Sequence, residues 1–267
     1  DVTTFSRGQT SVVLPAGVNR LYGDRWNKDQ MRSTFMDTDF DAVFETSGYI
    51  LEDPYDPRAY QDDIKVWLDC FLGKIKHFVF CSTGGVYAPR DTIPTTEDSP
   101  LNRDPNSGAY SRNNVQSEDV LFEAYRDQRF PVSVVRPGRV TGPDNYRYFV
   151  ESSYFTRLLQ GRKIIIPGDG NHYFQGVDVD DLAGVFVAAA STDRSIGEAY
   201  NGNGPDAITV NAYVAACGKI VGVEPQVVHL SPEVMATLEK PLRTLPWQNT
   251  SFSSMQKAKE HLGFVPK

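Results

Sequence analysis

His77-Phe78-Val79-Phe80-Cys81 is an almost uninterrupted apolar run, and Ser82-Thr83-Gly84-Gly85 follows it directly. A short run that is apolar at successive positions predicts a strand that is covered on both faces, as in a parallel sheet. The small residues after it predict a tight turn, which leaves hydroxyl groups at the end of the strand. This stretch therefore predicts a buried parallel strand with polar groups at its carboxyl end.

The same pattern recurs along the first half of the chain. Apolar runs at 2–5, 18–22, 41–45, 77–81 and 132–136 alternate with helical patterns at 28–34, 60–72 and 110–126. This alternation is typical of βαβ units and predicts an α/β fold with a doubly wound parallel sheet. Ligands of such sheets bind beyond the carboxyl ends of the strands, so we expect the loops after the strands to share one rim.

The pattern changes after the Gly142-Pro143 break. Helices are predicted at 148–160, 183–190 and 209–221, with a short strand at 164–166. Gly222 marks the end of the last of these helices. We expect this half to return partly to the sheet and partly to form a small lobe.

Composition limits the classes of function. The 267 residues carry a formal net charge of -7, and an acidic chain repels phosphate backbones, which weighs against general nucleic-acid binding. Cys70, Cys81 and Cys217 have neither the spacing of metal ligands nor that of a disulfide framework, so we expect a reducing, cytoplasmic location and no metal. No apolar run approaches the roughly 18–20 residues of a membrane span.

Tyr110 is the residue with the clearest chemical potential, because it follows a turn signal at Asn106-Ser107-Gly108 and stands near a helix start. A Tyr hydroxyl donates a proton to a carbonyl, or accepts one from an alcohol, when its pKa is lowered. Thr83 offers a hydroxyl for the same oxygen. Asn114 lies one turn along the same helix face as Tyr110. We expect the hydroxyls of Tyr110 and Thr83 to act on the same substrate oxygen.

This group and several other segments resemble the extended short-chain dehydrogenases/reductases of the NAD-dependent epimerase/dehydratase family. Thr83 and Tyr110, with position 114, are similar to the family's Ser/Thr and Tyr-x-x-x-Lys pattern. Matching segments cover essentially the whole chain in order: Arg136-Pro137-Gly138-Arg139-Val140-Thr141-Gly142-Pro143, Gly168-Asp169-Gly170, Val177-Asp178-Val179-Asp180-Asp181-Leu182-Ala183 and Lys257-Ala258-Lys259 with Leu262-Gly263-Phe264-Val265-Pro266. The resemblance implies a Rossmann-type protein that binds NAD or NADP.

A narrower similarity is to the chloroplast stem-loop RNA-binding proteins and their bacterial relatives, an atypical branch of the superfamily. It depends on four short segments: Ser6-Arg7-Gly8, Gly23-Asp24-Arg25, Gly84-Gly85-Val86-Tyr87, and Gln175 before Asp181-Leu182-Ala183. The resemblance implies a dinucleotide-binding domain formed by 1–143 with about 172–205. It implies a small C-terminal substrate lobe formed by about 144–171 and 206–267.

The sequence departs from the family pattern in three ways. Asn114 stands where the family has a catalytic Lys, and Asn brings no charge that would lower the pKa of Tyr110. The first βα unit, with its Gly-rich turn, does not occur, and we expect it to precede Asp1 in a longer chain. Phe174 matches the Arg that grips a nucleotide-sugar diphosphate, so a typical nucleotide sugar is not expected, unless Arg139 or Arg147 compensates.

The resemblance also implies cofactor contacts at the strand ends. After the family's second strand, the resemblance implies an acidic residue that holds the adenosine ribose of NAD. This chain has Ser6 and Arg7 there, and an Arg pairs with a 2′-phosphate, which favours NADP over NAD; a solvated Arg7 in a turn is the alternative. Asp24 fits the residue at the adenine edge, or it caps the next helix. The other expected contacts are Arg25, Thr46, Ser47, Gly48, Cys81, Ser82, Tyr110, Asn114 and Pro137.

For the substrate, the resemblance implies contacts from Thr83, Gly84, Gly85, Arg139 and Phe174. A surface salt bridge is the alternative role of Arg139. Three further acids resemble metal ligands, but capping of a helix start is the preferred interpretation: Asp178, Asp180 and Asp181.

Two functions fit these residues. The first is an NADP-dependent or NAD-dependent reductase, epimerase or dehydratase that acts on a carbonyl or secondary alcohol of a small molecule. The second is a protein without redox catalysis that binds a dinucleotide or RNA. Either function is compatible with a homodimer formed through the helices at 60–72 and 110–126.

Overall fold

The computed structural model describes residues 1–9, 11–47, 60–89, 93–143, 150–237 and 250–267. The strands are β1 Val2–Ser6, β2 Val18–Tyr22, β3 Ala42–Glu45, β4 His77–Cys81, β5 Val132–Pro137, β6 Arg139–Thr141, β7 Ile164–Pro167, β8 Tyr173–Phe174, β9 Gly176–Asp178, β10 Ala199–Gly202, β11 Ile208–Thr209 and β12 Val227–Leu230. The α-helices are α1 Lys28–Phe35, α2 Tyr60–Phe71, α3 Ala109–Gln128, α4 Val150–Leu159, α5 Val179–Ala190, α6 Val210–Val221, α7 Pro232–Ala236 and α8 Gln256–Leu262. None of the described helices is long and apolar enough to span a membrane.

The chain divides into two compact units. The first contains Asp1–Pro89, Pro100–Arg136 and Phe186–Tyr200, and the second contains Arg90–Ser99, Pro137–Val185 and Asn201–Lys267. The sequence placed about 172–205 with the first unit, whereas contacts in the structure place only Phe186–Tyr200 there. The difference arises because β9 pairs in parallel with β6 of the second unit.

A four-stranded sheet in the order β10-β5-β4-β3 forms the centre of the first unit. Strands β3, β4 and β5 are parallel, with Ala42 opposite His77 and Phe78 opposite Val132. All six residues of β5 are buried, as are the first four of β4, which is the burial expected of central strands in a parallel sheet covered on both faces. The predicted α/β fold with a parallel sheet is confirmed.

Strands β1 and β2 form a separate parallel pair, which has no ladder to β3 among the described residues. The pair nevertheless shares the apolar core of the first unit. The ring of Phe5 packs edge-on against Phe35 of α1 with a centroid distance of 4.9 Å, and Phe35 in turn contacts Trp67 of α2 at 5.3 Å. Burial of aromatic side chains of this size stabilises the fold by roughly 1.5–3 kcal/mol each.

Helix ends in both units follow their local chemistry. The Asn27 side chain accepts from the Gln30 amide and caps α1, and the Thr209 side chain accepts from the Ala212 amide and caps α6. Helix α6 ends at Gly222, whose φ of 70° is the left-handed conformation that glycine tolerates. The predicted end of this helix is confirmed.

The second unit is built from short strand pairs: β6 with β9, β7 with β12 and β8 with β11. Its apolar core lies between β7 and the helices α4 and α6. Tyr154 and Leu158 of α4 meet Ile164, Ile166 and Val214 there. The strand at 164–166 is confirmed, and the predicted helix at 148–160 is described from Val150 onwards.

Candidate functional site

The carboxyl end of β4 turns sharply at Thr83. Thr83 begins a 3₁₀ turn at Gly84–Val86, and its Oγ1 accepts a hydrogen bond from the Gly85 amide at 3.1 Å. Since a hydroxyl has one donor and two acceptor positions, the Thr83 O–H is left to donate elsewhere. The turn thus fixes the position of the hydroxyl at the rim of the sheet, as the sequence predicted.

The first turn of α3 lies beside this hydroxyl. A Cβ built on Gly85 would stand 3.3 Å from Ser111 Oγ and 3.5 Å from Thr83 Oγ1, so the helix start and the Thr83 hydroxyl share the space that Gly85 leaves open. Tyr110, the neighbour of Ser111, is 43% exposed and therefore accessible from solvent. The structure brings the β4 turn and the Tyr110 turn of α3 together.

Asn114 is buried one turn further along α3. Its side chain is 2% exposed, and Nδ2 donates to the backbone oxygen of Tyr110 at 2.9 Å. A polar side chain that bonds to the carbonyl four residues earlier is a local backbone contact. Asn114 therefore supports the helical turn that carries Tyr110 and contributes no charge to it.

A buried ion pair lies one further turn along α3. Arg136, the last residue of β5 before Pro137, contacts the Glu118 carboxylate through Nε at 3.1 Å and through Nη2 at 2.6 Å. Arg136 also donates to the Tyr87 hydroxyl at 3.1 Å, and Ser82 donates to Glu118. Burial alone would lower the pKa of Arg136, but Glu118 and Tyr87 raise it above its ordinary value. We call these four residues the Glu118 cluster.

The Glu118 cluster was missed by sequence reasoning, although Ser82 was predicted as a cofactor contact. Glu118 lies four residues after Asn114, so the spacing placed it on the Tyr110 face, yet a Glu on a helix is usually solvated. Cys81, the other predicted contact on β4, is a thiol whose pKa burial raises to about 12. Cys81 is therefore neutral at physiological pH.

A second polar group lies at the carboxyl ends of β2 and β3. Arg25 donates to Glu45 at 3.4 Å and to Ser47, and Glu45 is only 4% exposed. Asp24 accepts from the Trp26 amide at 2.9 Å and so folds the turn. Because Arg25 joins the two strand ends, the separate sheets meet along one rim.

The remaining predicted cofactor residues lie on the same unit. Ser6 and Arg7 are exposed at the end of β1, and Ser6 Oγ accepts from the Gly8 amide at 3.3 Å. Thr46 is exposed after β3. Gly48 lies outside the described residues, as does Arg147.

Several residues singled out from the sequence belong to the second unit. Pro137 is buried at the end of β5, and Arg139 opens β6 in a half-buried position. Phe174 is a core residue, 4% exposed, whose ring packs edge-on against Tyr213 at 5.2 Å. Asp178 accepts from the Asp180 amide at 2.9 Å and so caps α5. The described residues contain no group of three or more His, Cys, Asp or Glu that could hold a metal ion.

Comparison with known proteins identifies the family. Residues 1–201 match the model of the NAD dependent epimerase/dehydratase family. The chain belongs to this family. The resemblance drawn from the sequence motifs is therefore confirmed, and the family is NAD-dependent.

Two curated relatives illustrate the range of the family. Over its whole length the chain is 28% identical to the chloroplast stem-loop binding protein of 41 kDa b of Arabidopsis thaliana, and it covers 68% of that protein. A UDP-glucose 4-epimerase of Mycolicibacterium smegmatis is 30% identical over 56% of this chain and 48% of its own length. The chain thus spans about two thirds of the first relative and about half of the second.

Solved structures agree on the fold. A UDP-glucose 4-epimerase from Thermotoga maritima, solved with UDP-glucose, gives a TM-score of 0.81 at 22% identity, covering 100% of this chain and 85% of that chain. A UDP-glucuronic acid 4-epimerase from Bacillus cereus, solved with UDP-glucuronic acid and NAD, gives a TM-score of 0.76 at 19% identity, with 95% and 78% coverage. The epimerase/dehydratase fold is thereby shown.

Proposed function

We propose that this chain binds a nicotinamide dinucleotide along the rim of its first unit and interconverts a carbonyl and a secondary alcohol on a small molecule. The proposal depends on one observation above all. The Thr83 hydroxyl and the first turn of α3, which carries the accessible Tyr110, adjoin at Gly85. Carbonyl chemistry requires a proton donor and an oxygen-binding group side by side, and Tyr110 and Thr83 are the candidates for these two roles.

The roles follow from the hydrogen-bonding capacity of each residue. A reduced nicotinamide, when bound, supplies a hydride. Tyr110 would hold the proton for the substrate oxygen, and Thr83 would donate its O–H to the same oxygen while Gly85 holds it in place. Asn114 would keep the Tyr110 backbone in place through its 2.9 Å bond. Without a cation at Asn114, we expect slow turnover.

The cofactor preference is the finer part of the proposal. Arg7 is exposed at the carboxyl end of β1, where its guanidinium could pair with a 2′-phosphate, and this supports NADP over NAD. Titration of NADPH and NADH should give tighter binding of NADPH, and Arg7→Ala should weaken NADPH about tenfold without changing NADH. Equal affinities in the unaltered protein would remove the NADP preference.

The substrate is proposed to be other than a typical nucleotide sugar. Phe174 lies in the apolar core of the second unit, so this position offers no cation to a diphosphate. Arg139 is half-buried on β6 and is the candidate for contact with a smaller anionic group. Turnover of a panel of small aldehydes and ketones with NADPH, measured beside that of UDP-glucose and dTDP-glucose, distinguishes a small-molecule substrate from a nucleotide sugar. Turnover of the nucleotide sugars alone would overturn it.

The main test separates binding from chemistry. Tyr110→Phe should abolish turnover and leave NADPH affinity within twofold, because only the proton is removed. Asn114→Lys should raise the turnover number at least tenfold by restoring a cation near Tyr110, while the uncharged Asn114→Met should not. Absence of dinucleotide binding at millimolar concentration would rule out the proposed function.

RNA binding is the second candidate, and one observation favours it. The plant relative whose name describes stem-loop binding matches over the entire chain. The net charge of -7 opposes this function. A stem-loop RNA titrated at 50 and 200 mM salt should show affinity that falls steeply with salt if the function is present, and no binding at 50 mM salt would exclude it.

A further inference from the structure

Helix α3 begins without a side-chain cap. Gly108 stands at its N-cap position with φ of -53° and ψ of 139°, and glycine has no side chain that could accept from the amides of the first turn. These amides have no partners within the helix, so an uncapped end frays. The same turn carries Tyr110, which the proposed chemistry requires in a fixed place. Another contact is therefore needed to hold the start of α3.

Arg112 makes this contact. Its Nη1 donates to the Pro105 carbonyl at 2.9 Å and to the Ser107 carbonyl at 2.8 Å. Because the guanidinium is charged, both bonds are of the stronger, charge-assisted kind. They join the helix to the chain on the other side of Gly108. Tyr110 thus lies within a short loop of chain that Arg112 closes.

The turn to which Arg112 bonds is itself ordered by hydrogen bonds. The Asp104 carboxylate accepts from the Asn106 amide at 2.8 Å, and the Asp104 carbonyl accepts from the Ser107 amide at 3.0 Å. Arg103, just before this turn, bonds to Asp119 of α3 at 2.6 and 2.8 Å. The segment 103–107 is therefore attached to α3 by two arginines, and of these Arg112 is the one adjacent to the first turn.

The placement of Arg112 carries an electrostatic cost. A cation near the amino end of a helix opposes the macrodipole, and the first turn of α3 contains no acidic residue to offset it. Helix stability alone therefore does not account for an Arg at this position. Restraint of Tyr110 does, because misplacing a reacting group by about 1 Å can lower a rate about 100-fold.

We propose that Arg112 is a positioning residue that bonds to the Pro105 and Ser107 carbonyls and so keeps Tyr110 beside the Thr83 turn. The inference rests on the proposed function, because it gives Arg112 a role through Tyr110. Arg112 then acts on the rate of the chemical step and leaves the affinities for cofactor and substrate unchanged.

The test removes the Arg112 bonds and then supplies the missing cap by another route. Arg112→Met keeps a long side chain and loses both bonds. A Cβ added at Gly108 meets no atom within 4 Å, and a Ser at an N-cap accepts from an amide of the first turn. Gly108→Ser in the Arg112→Met background should therefore hold the turn again. Gly108→Ala is the matched control, because it adds the Cβ without an acceptor.

Turnover is measured with NADPH and the aldehyde or ketone that the unaltered protein converts fastest. Arg112→Met should lower kcat at least tenfold, with KM and NADPH affinity within twofold. Adding Gly108→Ser should restore kcat to within threefold of the unaltered protein, whereas adding Gly108→Ala should not. Arg103→Met should change kcat less than twofold, because Asp119 lies about 13 Å along α3 from Tyr110.

Amide hydrogen exchange gives a readout that does not depend on turnover. The amide of residue 112 donates to the Gly108 carbonyl at 3.1 Å, so its exchange reports opening of the first turn. This exchange should be at least tenfold faster in Arg112→Met and should slow again when Gly108→Ser is added.

Unchanged kcat in Arg112→Met overturns the inference, as does a fall in kcat that Gly108→Ser does not reverse. A parallel loss of NADPH affinity would show that Arg112 serves the fold alone and would overturn it too. If the unaltered protein binds no NADPH and turns over no carbonyl, the proposed function fails. The exchange rates then decide separately whether Arg112 holds the first turn of α3.

Discussion

The Glu118 cluster can be compared with a second polar group, Arg25, Glu45 and Asp63, which we call the Arg25 cluster. Each contains an Arg that bonds to a buried acid and to a hydroxyl group, and each lies near the carboxyl ends of strands. They differ in how many of their buried polar atoms have hydrogen-bond partners. Arg136 makes two bonds to one carboxylate and a third to Tyr87, and Ser82 supplies a further donor to Glu118. In the Arg25 cluster, Arg25 bonds to Glu45 and only its charge acts on Asp63, whose Oδ2 has no partner among the described residues.

The difference indicates separate roles. A buried ion pair whose hydrogen bonds are complete fixes its elements, and breaking it leaves an uncompensated charge. A buried acid that lacks a donor costs stability in the absence of a ligand, as is common at binding sites. We therefore assign the Glu118 cluster to holding β4, β5 and α3 in place under Tyr110. The Arg25 cluster, with the unpartnered Oδ2 of Asp63, is expected to reduce the stability of the fold.

The largest expected effect comes from breaking the complete cluster. Glu118→Gln leaves the Arg136 guanidinium buried without its counter-charge, which should lower the free energy of unfolding by about 3–5 kcal/mol. The adjacent Asp119→Asn is the matched control, because it removes an exposed pair with Arg103 and should cost at most about 1 kcal/mol. Urea denaturation of both variants measures the difference, and similar costs for the two would refute the structural role.

At the Arg25 cluster, removal of a charge is expected to raise the free energy of unfolding rather than lower it. The folded pKa of Asp63 is about 6 and the unfolded value is 3.8, so the folded protein binds more protons between these values and loses stability as the pH rises through this range. Above pH 6 the penalty is fully present. Asp63→Asn should then stabilise the protein by about 2 kcal/mol at pH 7.5, because it removes a buried charge that solvent screens only in part.

Urea denaturation at pH 4.5 and 7.5 tests this, with Asp62→Asn as control. The gain from Asp63→Asn should shrink at pH 4.5, where the acid in the folded protein is already protonated. A gain that is the same at both pH values would show that charge is not its cause.

The comparison also shows what the sequence can and cannot predict. The strands at 77–81 and 132–136 were predictable because consecutive apolar residues require burial on both faces. Strands β8 and β11 were not, because two residues cannot display a period. Residues Thr83 and Tyr110 were predicted from strand-end and helix-start chemistry, and the structure places their turns side by side.

The buried acids were harder to predict for a physical reason. Glu118 and Asp63 lie on helices, where a charge is normally solvated, and only tertiary packing encloses them. For the same reason the sequence did not predict that Asn114 bonds to the Tyr110 carbonyl. Periodicity identifies apolar faces, whereas the partner of a buried polar group depends on contacts between distant segments.

One serine bonds to the buried acid of each cluster, and the costs of removing the two serines can be compared. Ser82 donates to Glu118 and Ser47 donates to Glu45, so each serves one buried carboxylate. Ser82→Ala removes a donor from a closed network and should cost about 1–2 kcal/mol of unfolding free energy. Ser47 is exposed, so water replaces its hydroxyl, and Ser47→Ala should cost less than about 0.5 kcal/mol. Reversed costs would contradict the assignment of the two clusters.

The smallest effect concerns a third buried polar group, at the amino end of β4. His77 is 3% exposed, and its Nε2 lies 2.7 Å from Ser133 Oγ and 3.3 Å from Ser195 Oγ. Burial lowers the pKa of His77 below 6.5, against the raising influence of Asp193, so the folded protein holds the ring neutral. The unfolded chain binds a proton first as the pH falls, and stability should therefore decline by about 1 kcal/mol from pH 7 to 5.5.

Asp63 acts in the opposite direction over part of this range, so variants must separate the two residues. His77→Gln should remove the decline, whereas the same change at the exposed His229, which lies 2.9 Å from Asn211 Oδ1, should keep it. In the Asp63→Asn background the decline should be steeper, because the opposing gain is gone. If His77→Gln leaves the pH dependence intact, hydrogen bonding to both serines is not enough to hold the ring neutral. The completeness of a buried network would then not predict its protonation state, and the contrast between the Glu118 and Arg25 clusters would lose its physical basis.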